Sequence, residues 1–161
     1  MPFFCRLKYL HRVIKECLRL FPPIPLTGRQ CYAESKVCGR TIPAGATILL
    51  NILSAHRDPK YWDQPDRFDP DRFLPENCKD RHPCAYVPFS IGSRNCIGAT
   101  YAMNNMATFL ATTLRTYELL PVDDHKDLHS LYDNMTFDFT SRLVGGVRVK
   151  FQRRVARAST N

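Results

Sequence analysis

The sequence predicts an α+β fold, mainly α, from three observations. Apolar residues recur at helical spacing in two stretches, over residues 7–21 and from about residue 97 onwards. Short alternating segments lie between and after these stretches, and they predict small strands joined by turns. Twelve prolines against seven glycines indicate stiff, irregular connections. With 161 residues and 44% apolar composition, the chain has the length of one domain.

The first predicted helix has one apolar face and one charged pair. Its apolar residues fall at i, i+3, i+7, i+10, i+11 and i+14, namely Leu7, Leu10, Ile14, Cys17, Leu18 and Phe21. Pro22 and Pro23 end the helix. Glu16 and Arg19 lie at i and i+3 on another side, where they can pair. On pattern alone, this pair is a solvated helix face with a weak ion pair.

Two short strands are predicted after this helix. Residues 24–28 are apolar and irregular in pattern, whereas residues 36–42 and 47–52 carry strand signals. The intervening Pro43-Ala44-Gly45 predicts a turn, so the two segments are expected to form a hairpin.

A long connection is predicted before the second helix. Residues 63–88 contain five prolines and no sustained period, which indicates an ordered loop. His56 precedes it, beside Arg57 and Asp58. A histidine in that setting is expected to cap or pack and not to bind a metal.

The C-terminal third is predicted as a helix followed by a hairpin. The helix carries an apolar stripe of Ala102, Met106, Phe109, Leu110, Thr113 and Leu114. Residues 136–140 and 147–151 alternate as half-buried strands do, and Gly145-Gly146 between them supplies a turn.

Cys96 lies where a loop gives way to this second helix. Unsatisfied N–H groups at a helix N-terminus favour an anion, and Arg94 adds a nearby positive charge. Gly92 frees the backbone for a turn, and Gly98 leaves room for a bulky group to approach. The position therefore suits a thiolate that acts as a nucleophile or as a metal ligand. The alternative is a buried structural cysteine.

Charge and cysteine content argue against several classes of function, including nucleic-acid binding and structural zinc binding. The net charge of +8 favours anionic partners, but the charge is scattered. Its densest cluster, at residues 150–157, has no interleaved aromatic residues and indicates a solvated tail, so no nucleic-acid partner is expected. Seven cysteines without a Cys-x-x-Cys pair or a signal peptide indicate a reducing compartment and give little support to structural zinc. No apolar run is long enough to span a bilayer.

The pattern Phe89-x-x-Gly92-x-Arg94-x-Cys96-x-Gly98 resembles the haem-ligand loop of the cytochrome P450 monooxygenases. The resemblance implies that Cys96 is the axial thiolate of a haem iron and that Phe89 packs by the sulfur and the porphyrin. It also implies that Arg94 pairs with a haem propionate and that the two glycines let the loop pass close to the macrocycle.

The same family gives Glu16 and Arg19 a different interpretation. Glu16-Cys17-Leu18-Arg19 followed by Leu-Phe-Pro-Pro resembles the Glu-x-x-Arg signature of its helix K, where the pair is buried. Arg72, within Asp69-Pro70-Asp71-Arg72-Phe73, stands where the family has the arginine that joins this pair. The resemblance therefore implies a structural cluster of Glu16, Arg19 and Arg72 that supports the Cys96 loop.

Candidate substrate residues also come from the resemblance. In the family, the residues just after helix K line the substrate side of the haem, which implies Ile24, Leu26 and Thr27. The tip of the last hairpin can reach the substrate, which implies Leu143 and Val144.

The resemblance extends from about Leu7 to Phe151 and is greatest to the animal microsomal branch, with a fatty-acid hydroxylase-like character. It implies that residues 1–161 are the incomplete C-terminal part of one cytochrome P450 domain, with helix K, small β hairpins, the meander, the cysteine loop and helix L. A complete member has, upstream, a membrane anchor, most of the haem pocket and a helix with an acid-Thr pair. The complete protein is accordingly expected on the cytosolic face of the endoplasmic reticulum membrane.

The implied activity is that of a haem-thiolate monooxygenase. It inserts one oxygen atom from O₂ into an apolar small molecule, with haem b as cofactor and with electrons from NADPH through a flavoprotein reductase. The alternative is a truncated, catalytically inactive chain that acts only as a haem- or protein-binding module.

Overall fold

The computed structural model of the chain describes residues 7–122 and 128–154. Within these two ranges, five helices and eight short strands follow one another as α1 (Lys8–Leu20), β1 (Leu26–Gln30), β2 (Ser35–Val37), β3 (Arg40–Ile42), β4 (Thr47–Asn51), α2 (Ile52–Ala55), α3 (Pro75–Cys78), α4 (Ala99–Thr116), β5 (Tyr117–Leu120), α5 (Leu128–Asp133), β6 (Met135–Phe137), β7 (Ser141–Leu143) and β8 (Lys150–Arg153). Two 3₁₀ turns span Pro70–Phe73 and Pro83–Ala85. The mainly helical α+β class is confirmed. No helix among the described residues is long and apolar enough to cross a bilayer.

Helices α1 and α4 pack against each other around three buried side chains, Ile14, Leu18 and Ala107. On α4, the residues that face this cluster are Met103, Met106, Ala107 and Leu110, at the i, i+3, i+4 and i+7 spacing of one helix face. The predicted inward position of Phe109 is wrong, since its side chain is 66% exposed. Ala107 is 0% exposed, so its small side chain lies wholly within this helix contact.

The first sheet region differs from the predicted hairpin. Strand β4 pairs antiparallel with β1, from Leu26 opposite Asn51 to Gln30 opposite Thr47. The stretch predicted as irregular therefore contains the strand β1. Pro43-Ala44-Gly45 does form a turn, with Gly45 at φ +84°, but it connects β3 to β4 without pairing them.

The segment predicted as one strand over residues 36–42 is itself a hairpin of β2 and β3. Its two-residue loop is Cys38-Gly39, with φ of +49° and +76°. Two positive φ values are what a type I′ hairpin turn requires, and glycine accepts this conformation without strain. The local turn therefore prevents one continuous strand.

The C-terminal pairing is also different from the prediction. Strand β6 pairs with β7, Met135 lying opposite Leu143, while β8 pairs with the distant β5. Gly145 and Gly146 do form a turn at positive φ, and the Gly146 N–H donates to the Leu143 carbonyl at 3.1 Å. The predicted hairpin around these glycines is wrong, because this turn leads away from β7 and not into a partner strand.

The proline-rich connection between α2 and α4 is ordered by aromatic packing. Trp62, Phe73 and Tyr86 contact one another, with ring centroids 4.8 to 6.4 Å apart. Trp62 is 1% exposed and Phe73 is 7% exposed. These rings form a second hydrophobic cluster, which fixes the segment that leads into the cysteine loop.

Candidate functional site

The loop that carries Cys96 is closed on itself by backbone hydrogen bonds. The Cys96 N–H donates to the Phe89 carbonyl at 2.9 Å, and the Asn95 N–H donates to the Gly92 carbonyl at 3.2 Å. Gly92 has φ +89°, a conformation that favours glycine. At the start of the loop, the Ser90 N–H donates to the Val87 carbonyl at 2.9 Å. The position of Cys96 is thus set by the backbone of its own loop.

Helix α4 begins three residues after Cys96, with Gly98 as its N-cap. The prediction of a helix from about residue 97 is therefore two residues early. Gly98 has φ −84°, which does not itself require glycine. A β-carbon built at Gly98 would lie 3.7 Å from the Cys96 Sγ, so glycine keeps the space beside the sulfur free.

The Cys96 side chain opens onto a cavity of about 370 Å³. Residues of α1, β1, the cysteine loop and α4 line it: Leu18, Pro23, Ile24, Thr27, Arg29, Ile52, Pro88, Phe89, Ser90, Arg94, Asn95, Cys96, Ala102 and Met106. Cys96 is exposed and is not packed within hydrocarbon, so the alternative of a buried structural cysteine does not describe it. Phe89 also packs against the core between α1 and α4.

Strand geometry decides which of the suggested substrate residues reach this cavity. Ile24 and Thr27 line it, whereas Leu26 does not and is 48% exposed. Successive side chains of a strand point to opposite faces, so Leu26 and Thr27 face different ways along β1. Leu26 therefore lies on the side of β1 away from Cys96.

The two C-terminal candidates lie elsewhere. Leu143 ends β7 and lines a separate cavity of about 310 Å³ with Phe21 and Met135. Val144 is 60% exposed, and its N–H donates to the Asn134 carbonyl at 2.8 Å. The predicted hairpin of residues 136–140 and 147–151 is not formed, so neither Leu143 nor Val144 lies at the tip of such a hairpin.

Arg29 belongs to the site and was missed at the sequence level. It follows Thr27 by two positions on β1, so both side chains share the face that lines the cavity. Its Nη2 donates to the Ser90 Oγ at 3.3 Å and to the Arg94 carbonyl at 3.2 Å. If residues 26–30 are interpreted as a strand, the alternation of side chains between its two faces places Arg29 on the same face as Thr27.

Glu16 and Arg19 form a fully buried ion pair on α1. Both side chains are 0% exposed, and the guanidinium binds the carboxylate through two hydrogen bonds of 2.7 and 2.8 Å. Arg72 reaches the same carboxylate, with Nε 3.5 Å from Glu16 Oε1. The Asp69 N–H also donates to Oε1, at 2.9 Å. The structure thus brings Glu16, Arg19 and Arg72 together.

Arg19 also satisfies backbone groups of the connection after α2. Its two terminal nitrogens donate to three carbonyls, those of His56 at 2.9 Å, Pro65 at 2.6 Å and Arg67 at 3.1 Å. Its guanidinium carbon lies 4.9 Å from the centre of the Trp62 ring. One buried side chain therefore ties α1 to the segment that precedes the cysteine loop.

His56 is the third fully buried polar residue, at 0% exposure. Burial lowers its pKa from the ordinary value of 6.5 to about 4. The hydrogen bond to the Arg19 carbonyl opposes this shift, and the positive charges of Arg19 and Arg57 add to it. The folded chain therefore holds this imidazole neutral at physiological pH.

The depressed pKa of His56 predicts acid sensitivity. Its contribution to the free energy of unfolding is fully present above pH 6.5, since the ring is then neutral in both states. That contribution falls by about 3 kcal/mol as the pH drops from 6.5 to 4, where the unfolded chain binds the proton and the folded chain resists it. Urea unfolding over this pH range measures the loss. The matched control is His56→Gln, which does not titrate, and equal slopes for the two proteins would contradict the prediction.

Comparison with known proteins agrees with this architecture. The family model described as Cytochrome P450 matches residues 4–140. Probable cytochrome P450 4ac1 of Drosophila melanogaster is 45% identical over 154 residues, which cover 94% of this chain and 29% of that protein. Cytochrome P450 4F4 of Rattus norvegicus is 47% identical over 119 residues, which cover 73% of this chain and 23% of that protein.

A solved structure shows the same fold. The crystal structure of the cytochrome P450DA heme domain superposes with a TM-score of 0.81 at 29% identity, over 94% of this chain and 32% of that one. The chain thus spans less than a third of the length of these proteins. The family match over most of the sequence and the shared fold lead to one conclusion. The chain belongs to the cytochrome P450 family.

Proposed function

We propose that Cys96 would hold a haem b iron through its thiolate and that the chain would form the thiolate side of a haem-thiolate monooxygenase. The observation that carries this proposal is the exposed Cys96 side chain, which opens onto a largely apolar cavity at the junction of a closed loop and α4. A thiolate is the form of cysteine that binds metals.

The chemistry of the lining residues fits a haem. Apolar side chains on α1, α2 and α4, namely Leu18, Ile52 and Met106, provide a hydrocarbon wall. Arg29 and Arg94 are also among the lining residues, and guanidinium groups bind carboxylates well. A flat apolar macrocycle with acidic substituents has the complementary chemistry.

The residues of this chain would do three things in the reaction. The hydrogen-bonded loop orients Cys96, Gly98 leaves space beside the sulfur, and the apolar wall excludes water. The bound thiolate-haem would supply oxygen activation, because electron density from the sulfur favours O–O cleavage. Ile24 and Thr27, on the cavity wall, would contact the apolar substrate.

The partners follow from the family resemblance. The complete protein would take electrons from an NADPH-dependent flavoprotein reductase and would work at the cytosolic face of the endoplasmic reticulum membrane. The net charge of +8 suits docking to an acidic partner surface. Residues 1–161 would be the C-terminal part of one such domain, with other segments of the complete protein covering the open side of the cavity.

The test is the spectrum of the reduced carbon monoxide complex. The purified chain is titrated with haem, reduced and exposed to carbon monoxide. We expect saturable uptake and the red-shifted Soret band that marks thiolate ligation. Uptake without this band would show that no thiolate binds the iron, and either that result or no uptake would contradict the proposal.

A second candidate function rests on the exposure of the site. Cys96 is exposed, and the next residue, Ile97, is fully exposed. An exposed thiolate is enough to bind a haem iron, so the second candidate is a chain that binds haem without oxygenating a substrate. Thiolate ligation without NADPH-dependent product formation in the presence of a reductase would support this alternative.

Arg94→Gln is expected to weaken haem binding about tenfold. A charge-assisted hydrogen bond contributes about 1.5 kcal/mol at the lower end of its range, which is a factor of about ten in affinity. Haem titration followed by absorbance measures the effect. Arg40→Gln on β3 is the matched control, since Arg40 is exposed and does not line the cavity, and an equal loss in both variants would contradict a role for Arg94.

A further inference from the structure

His56 is a buried polar group that the proposed function does not use. It follows α2 as its C-cap, and its ring is stacked on Tyr86 with centroids 5.3 Å apart. Both ring nitrogens have a backbone partner. Nδ1 lies 3.2 Å from the Arg19 carbonyl oxygen, and Nε2 lies 2.9 Å from the Val87 nitrogen.

These two partners fix the protonation state of the ring. A backbone N–H only donates, so Nε2 must accept the bond from Val87. A carbonyl oxygen only accepts, so Nδ1 must carry the proton that bonds to Arg19. Only the neutral Nδ1–H tautomer satisfies both partners. A proton on Nε2 would face the Val87 N–H and leave it without an acceptor.

The bond to the Arg19 carbonyl is reciprocated. The Arg19 guanidinium donates to the His56 carbonyl at 2.9 Å, while the His56 ring meets the Arg19 carbonyl. The ring is therefore held in place by the buried ion cluster of α1. Its other nitrogen faces the entry of the cysteine loop.

Val87, at the start of the cysteine loop, is held by the side chain of His56. Its N–H is bonded to His56, and its carbonyl accepts the Ser90 N–H at 2.9 Å. Two residues later, the Phe89 carbonyl accepts the Cys96 N–H at 2.9 Å. The position of the Val87 peptide thus bears directly on the turn that closes around Cys96.

We propose that His56 is a positioning residue for the Cys96 loop, and that its Nε2 fixes the loop entry by accepting the hydrogen bond from Val87. The proposal rests on the proposed function only in assigning thiolate ligation to this loop. The hydrogen bond itself can be tested in the chain without haem.

Two amide substitutions test the two hydrogen bonds of the His56 ring separately. In His56→Gln, the longer side chain places its amide oxygen near the position of Nε2, where it can still accept from Val87. In His56→Asn, the shorter side chain places its amide nitrogen near the position of Nδ1, where it can donate only to Arg19. The two variants therefore keep opposite bonds and serve as controls for each other.

Hydrogen exchange and NMR on the full chain without haem provide the first test. We expect the ¹⁵N shifts of His56 to show Nδ1 protonated and Nε2 unprotonated in the wild-type chain. The Val87 amide is expected to exchange about five- to tenfold faster in His56→Asn and to stay protected in His56→Gln. A proton on Nε2, or equal exchange in the two variants, would overturn the proposal.

The reduced carbon monoxide spectrum provides the second test. We expect the fraction of complex with the thiolate-type Soret band to fall in His56→Asn and to be retained in His56→Gln. A merely structural role would lower the melting temperature of both variants without this difference. If the wild-type chain takes up no haem, the proposed function fails, while the exchange measurements still decide the role of His56.

Discussion

Arg19→Leu is expected to lower the free energy of unfolding by about 3 to 5 kcal/mol. The substitution removes the charge that neutralises Glu16 inside the protein, where both side chains are 0% exposed. A domain of this size is stable by about 5 to 15 kcal/mol, so much of its stability would be lost. Urea unfolding followed by circular dichroism measures the change.

The size of this effect comes from the groups that remain unpaired. The Glu16 carboxylate would keep only the Asp69 N–H at 2.9 Å and the more distant Arg72 Nε at 3.5 Å. Three carbonyls, those of His56, Pro65 and Arg67, would lose a donor as well. The bond to the His56 carbonyl is buried, and a buried polar group without a partner costs about 1 to 3 kcal/mol, whereas the bonds to Pro65 and Arg67 are only partly buried. Arg19→Lys should recover only part of the loss, because an ammonium keeps the positive charge but cannot bind a carboxylate through two parallel bonds.

A second ion pair provides a control of equal length. Arg142 Nη2 and Asp138 Oδ2 are also 2.7 Å apart, but both side chains are about two-thirds exposed, at 70% and 67%. We expect Arg142→Leu to change the free energy of unfolding by no more than about 1 kcal/mol, as for other exposed pairs. Similar losses in Arg19→Leu and Arg142→Leu would contradict the importance of burial.

This contrast explains what the sequence pattern could not predict. The i, i+3 spacing of Glu16 and Arg19 is compatible with a solvated helix face, and only the family resemblance indicated burial. Burial is created by residues far away in sequence, since the partners of Arg19 lie 37 to 48 positions downstream. Periodicity within α1 contains no information about that segment.

Turns could be predicted more reliably than strands or their pairing. The turns at Gly45 and Gly145-Gly146 were predicted because glycine at positive φ is a local property. The pairing of β4 with β1 and of β8 with β5 was missed because it depends on how distant segments pack. Arg29 was missed for the same reason, since its place beside Thr27 follows from the strand β1, which the nearby prolines concealed.

The cysteine loop was predictable because its geometry is local. Gly92 turns the chain, and the Cys96 N–H returns to Phe89 within seven positions. The exception was Phe109, which had the correct helical spacing yet points outwards from α4, 66% exposed. Which side of α4 packs on α1 depends on the fit of Ala107 against Ile14 and Leu18, and a spacing rule does not weigh that fit.

Cys96→Ala is expected to abolish the thiolate-type Soret band of the reduced carbon monoxide complex while leaving the fold intact. The Cys96 side chain is exposed, so its loss should change the free energy of unfolding by no more than about 0.5 kcal/mol. The loop bond from the Cys96 N–H to the Phe89 carbonyl belongs to the backbone and is kept by alanine. This variant should therefore lose thiolate ligation and keep its free energy of unfolding.

Cys84→Ala is the matched control, because Cys84 is also exposed and lies in the 3₁₀ turn Pro83–Ala85, outside the cavity lining. The control should keep both the band and the melting temperature of the unsubstituted chain. If Cys96→Ala kept the band, another sulfur would be the ligand. If Cys96→Ala also unfolded the chain, the sulfur would have a packing role that its exposure does not predict. We expect a folded chain without thiolate ligation. This result follows only if the backbone holds the Cys96 loop and the Cys96 sulfur binds the haem iron.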